Sequence, residues 1–139
     1  MKKLFSALVA SVVSFGAVAQ ESQTWSEANK QSVAAYEAKE FEDAARLSRR
    51  AAELYPIQSK SYKSENHAQL ILNAYELTFR GDGGDLSQQY LEKALIDLQD
   101  KAGRSDVAAA PIAARLAVLF ANDLEYEKSD RYFQRACSL

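Results

Sequence analysis

The chain has 139 residues, 47% apolar and 26% charged, with a formal net charge of −2. That length can bury one core of its own, and the slight acidity argues against nucleic acid or an anionic membrane surface, which select a basic face. Cys137 is the only cysteine, so no internal disulfide forms and packing must supply the stability.

The chain opens MKKLFSALVASVVSFGAVAQ. Lys2 and Lys3 make a positive start, Leu4 to Phe15 an apolar run, and Ala17-Val18-Ala19 a small-x-small cleavage pattern. These are the parts of a secretory signal peptide, residues 1–19, cut after Ala19. The alternative, a membrane anchor, needs roughly 20 apolar residues, more than lie between Leu4 and Ala19. No stable membrane span is therefore expected after cleavage. The short Met-Lys-Lys start looks bacterial, and the expected location is the periplasm or the exterior. Removing Lys2 and Lys3 leaves 15 Lys and Arg against 19 Asp and Glu. The residue after the cut is Gln20 and not a cysteine, so no lipid attachment is expected there.

Residues 20–139 read as all-α, because apolar residues recur with helical period and no alternating run stands out. The first helix is expected over Trp25–Ala38, with Thr24 and Glu27 spaced as a capping box. The second covers Phe41–Leu54, and Pro56 closes it. The third runs from Ser64 to Phe79, and the Gly81–Gly84 loop ends it. The fourth covers Asp85–Asp100, with Asp85 and Gln88 again at capping-box spacing. Lys101–Arg104 is the next break. The fifth starts at Pro111, a favoured first position, and runs to Asn122. The sixth covers Glu125–Ser138.

The second helix of each pair carries a pattern at steps +3, +4, +3. It reads Phe41, Ala44, Ser48, Ala51, then Gly84, Ser87, Leu91, Ala94, then Tyr126, Ser129, Phe133, Ala136. Small residues there let helices approach closely. With Pro56, and with Leu116, Ala117 and Phe120 ahead of the third set, this resembles the tetratricopeptide repeat. The spacing departs from that family's 34 residues, since Ala51, Ala94 and Ala136 lie 43 and 42 apart.

The resemblance implies a right-handed α-solenoid of three helix-turn-helix repeats, about 25–56, 64–100 and 110–139. It also implies a groove, lined by the first helix of each pair, for a protein or peptide partner. The matching positions are Asn29, Val33, Tyr36, Glu37, Asn66, Gln69, Asn73, Glu76, Ala114, Val118 and Asn122. They are rich in amides, which can pair with peptide backbone, and poor in positive charge. The plain alternative is a set of solvated helix faces.

No chemistry of another kind is expected. His67 and Cys137 lack the setting of a nucleophile and its base. Asp82 and Asp85 are too few ligands for a calcium loop and read as a helix stop and start. No metal, cofactor or catalytic residue is assigned. The clusters at residues 37–43 and Arg49-Arg50 read as solvated helix faces. The chain stops within its sixth helix, with apolar residues near Tyr132, Phe133 and Leu139. Solenoids ordinarily end in a polar cap, so a homodimer, or the N-terminal part of a longer TonB-like envelope protein, is the alternative reading.

Overall fold

The computed structural model describes residues 23–139. The expected signal peptide, residues 1–19, lies outside the described residues. These form six α-helices and no strand, so the all-α expectation holds. Helix α1 is Trp25–Glu37, α2 Phe41–Gln58 and α3 Ser64–Asp82. Helix α4 is Gly84–Ala102, and a short 3-10 turn, Val107–Ala109, leads into α5, Ala110–Asn122, and α6, Tyr126–Ser138. Each helix packs chiefly on the next along the chain. No described helix is long and apolar enough to cross a membrane.

Helix α1 starts as its sequence dictates. The Thr24 hydroxyl accepts from the Glu27 N–H at 3.2 Å, and the Glu27 carboxylate accepts from the Thr24 N–H at 3.4 Å. That satisfies two donors that a helix start otherwise leaves orphaned. The turn out of α1 recurs after α5, from Ala38 to Asp123 and from Lys39 to Leu124 both being steps of 85. Lys39 (φ 62°) and Leu124 (φ 63°) take the left-handed conformation. Glu40 N–H then bonds the Ala35 carbonyl at 2.9 Å, and Glu125 N–H bonds that of Phe120 at 2.8 Å. A serine staples each hairpin. Ser32 donates to the Ala44 carbonyl, and Ser129 donates to the Ala117 carbonyl, both at 2.7 Å. The two staples occupy the same pair of positions with donor and acceptor helices exchanged.

Three boundary expectations fail for local reasons. Pro56 does not close α2, which runs one turn further to Gln58. Proline lacks only its own N–H, so the helix gives up a single internal bond, the one to the Ala52 carbonyl, and continues. The Gly81–Gly84 stretch is not a loop. Helix α3 continues through Asp82, and Gly83 (φ 96°) alone joins it to α4. Gly81 serves a different need, because a Cβ there would lie 3.1 Å from the Phe41 carbonyl oxygen. The backbones of α3 and α2 meet at that point. The Asp85–Gln88 capping box does not form: Gly83 is the N-cap, and Gln88 instead donates to Glu92 at 3.4 Å.

The interior changes character along the chain. Between α1 and α2 it consists of Ala28, Ser32, Ala35, Ala44, Ala45, Ser48 and Ala51, all buried. Ala44 and Ala51 are 0% exposed, so both alanines are contact points as their spacing predicts. From α3 to α5 the core turns bulky, with Ile71, Leu91, Leu95, Leu98, Ile112, Leu116 and Phe120. Small residues bring the first helices close; branched and aromatic ones fill the wider space beyond.

Candidate binding cleft

Helices α1, α3 and α5 adjoin along one side of the molecule. Arg80 of α3 donates to the Tyr36 hydroxyl of α1 at 2.7 Å and lies 5.9 Å from the centre of that ring. Arg115 of α5 pairs with Glu76 of α3 at 3.4 Å and lies over the Tyr75 ring. These contacts join residues dozens of positions apart, and they set one first helix beside the next.

Between α1 and α3 lies a cleft of about 310 Å³. Asn29, Val33 and Tyr36 line it from α1, and Asn73, Glu76, Leu77 and Arg80 from α3. Buried Ser32 and Ser48 form its floor. Helical period explains the lining. Asn29, Val33 and Tyr36 step by four and three, as do Asn73, Leu77 and Arg80, so each trio shares one helix face. Five residues expected from the sequence therefore meet here: Asn29, Val33, Tyr36, Asn73 and Glu76.

The other expected residues stand elsewhere. Glu37 is exposed at the end of α1. Gln69 lies one turn before Asn73 and donates to its side-chain oxygen at 2.9 Å, orienting that amide. Asn66 is exposed in the first turn of α3. Burial would raise the Tyr55 pKa, but hydrogen bonds from the Lys63 backbone, Asn66 and Ser59 bring it below the ordinary value. Ala114 is half-buried, while Val118 and Asn122 are exposed on α5, on one stripe with Arg115. That stripe lies alongside Glu76 without lining the cleft.

Two lining residues, Leu77 and Arg80, escaped the sequence reading. Arg80 is the cleft's one cation. Its use of Tyr36, 44 positions away, leaves no local signature. Arg49 is a second correction. It is no free surface charge, since it donates to the Thr78 hydroxyl at 2.8 Å and to Asp82 at 3.2 Å. Asp82 thereby serves to hold α3 against α2.

His67 and Cys137 are placed apart. His67 is 2% exposed, with the Tyr62 hydroxyl 2.9 Å from its Nδ1. Burial, then Asp106, push the Tyr62 pKa up to about 12, so its hydroxyl stays protonated. Burial lowers the His67 pKa, partly offset by Asp97 and the Ala52 carbonyl. Cys137 is exposed near the end of α6.

No protein-family model matches the chain, and no curated protein matches it. The reading of the cleft therefore rests on its own chemistry.

Proposed function

We propose that this chain is an exported helical-repeat protein of the tetratricopeptide type. It binds a protein or peptide partner in the cleft between α1 and α3, and catalysis is not part of the proposal. The observation that carries this is the composition of the cleft. Val33 and Leu77 offer apolar area, Asn29 and Asn73 offer amides able to give and accept backbone hydrogen bonds, and Arg80 offers one cation. A chain segment laid across α1 and α3 would seat one apolar side chain and pair its backbone with the amides. The Arg115, Val118 and Asn122 stripe extends the same surface. Export rests on the physical parts of residues 1–19.

Site-specific photocrosslinking in the producing cell tests this. Probes at Asn73 and Val33 report the cleft. Exposed Gln89 on α4 is the control, because Arg49 is tied to Asp82. Discrete adducts from both cleft probes and none from Gln89 support the reading. Silence at Asn73 and Val33 rejects it.

A further inference from the structure

A second pocket, of about 360 Å³, lies between α2, α3 and α4 and shares no lining residue with the cleft. Helical period sets its walls, since Ala52 and Pro56, His67 and Ile71, and Tyr90 and Ala94 are each four apart. Ala52, Ile71 and Ala94 give it a buried apolar floor, with the His67 ring beside them. Ile57, one residue past Pro56, forms an apolar lip and is 80% exposed. A mostly apolar pocket of this size with a few polar groups is the usual form of a small-molecule site.

Those polar groups are mainly acceptors. Proline at 56 removes the N–H that the Ala52 carbonyl meets in an ordinary helix, and a carbonyl has two lone pairs to offer. The Tyr90 hydroxyl is buried and has no hydrogen-bond partner among the described residues. Buried polar groups seldom stay unpaired. Burial, then Glu53, raises the Tyr90 pKa, so its hydroxyl stays neutral and its oxygen can accept. Two exposed carboxylates, Glu53 of α2 and Asp97 of α4, line the pocket, and both act on that hydroxyl. Neither forms an ion pair among the described residues. Lys93 is the one cation in the lining, and Arg49, the other cation acting on Tyr90, is taken by Asp82. His67 is held neutral, because burial lowers its pKa. The lining therefore carries two negative charges against one positive.

We propose that this pocket binds a small organic amine with an apolar body. The body covers Ala52, Ile71 and Ala94 and packs under Ile57. The ammonium donates to the Tyr90 oxygen and to the Ala52 carbonyl, and Glu53 and Asp97 balance its charge. A neutral molecule of the same shape gains the apolar contact but leaves both carboxylates unused. An anion of that shape is repelled by them.

Nuclear magnetic resonance tests the assignment, because His67 is the only histidine and its ring signals report the pocket floor alone. Benzylamine, benzyl alcohol and benzoate are titrated at neutral pH into the protein as recovered from the cell. Benzylamine should move the His67 signals and bind about 3-fold or more tightly than benzyl alcohol, with benzoate weakest. Glu53→Gln and Asp97→Asn should each weaken benzylamine about 2–5-fold, and Lys93→Gln should tighten it by a similar factor. All three positions are exposed. Benzyl alcohol affinity, which does not depend on charge, should change by less than about 2-fold in each variant and so checks that the pocket persists. The proposal is overturned if the His67 signals stay fixed at millimolar benzylamine, or if benzoate or benzyl alcohol binds as tightly. It is also overturned if the three charge changes leave the benzylamine affinity unaltered.

Discussion

Helices α2 and α6 begin with the same turn, yet only one of them is buried. Both follow a left-handed residue, Lys39 or Leu124, and both are stapled by a serine hydroxyl on a carbonyl. Seven α2 residues are buried, from Ala44 to Tyr55, and no α6 residue is. The difference lies in neighbours. Helix α2 has α1 on one flank and α3 on the other, whereas α6 has α5 and little else. The hairpin is thus a local product of turn geometry. Burial is a property of position in the stack, and residue choice follows it: alanine and serine where a helix lies close, phenylalanine and aspartate where none does.

Exchanging residues at equivalent positions is the most severe way to break this comparison. Ser48→Phe places in α2 the residue that α6 carries at 133. Ser48 is 1% exposed, so overpacking should cost about 1–3 kcal/mol. The reverse change, Phe133→Ser, should stay within about 0.5 kcal/mol in the monomer, because that side chain is exposed. Urea denaturation at low protein concentration measures both. Equal losses would mean that α6 is as well covered as α2.

The staples sharpen the comparison on a smaller scale. Ser32→Ala removes a buried hydrogen bond and should cost about 1 kcal/mol. Ser129→Ala removes a half-buried one and should cost less in the same denaturation series. The turns should respond alike. A non-glycine residue with positive φ is strained, so Lys39→Gly and Leu124→Gly should each stabilise by up to about 1 kcal/mol. A rise in melting temperature for only one of them would show that the two turns differ in solution.

Acid should distinguish the two helices most gently. Buried His67 lies beside Ala52 of α2, and the matching position of α6, Cys137, is exposed. Burial keeps the His67 pKa below its ordinary 6.5. On acidification the unfolded chain therefore binds this proton first. The contribution is fully present above about pH 6.5 and is lost as the pH falls through the lower folded value. Urea midpoints measured at about pH 7.5 and 5.5 should fall for the native chain. In His67→Gln that part of the fall should vanish.

Much of the fold was legible because it is written in short-range chemistry. Thr24 and Glu27 announced the first helix, and both capping bonds form. Ala44 and Ala51 announced close contacts, and both are fully buried. Glycine was harder to read. In the Gly81–Gly84 stretch one glycine permits positive φ and another permits a close approach of backbones, and the same letter serves both. Half of the candidate cleft was readable from helical period, through Asn29, Val33, Tyr36, Asn73 and Glu76. Arg80 and Leu77 were not, since their place depends on how α3 slides along α1.

The sequence by itself determined six helices, their order and their tight first and last turns, because helical period, caps and breakers act within a few residues. Only the tertiary structure decided that Arg49 holds Asp82, that Arg80 crosses to Tyr36, and that no described helix covers the outer flank of α6. Those pairings join residues 33 and 44 positions apart or concern a face that no described helix covers. Such relations are set by the offset between stacked helices, which no local pattern encodes.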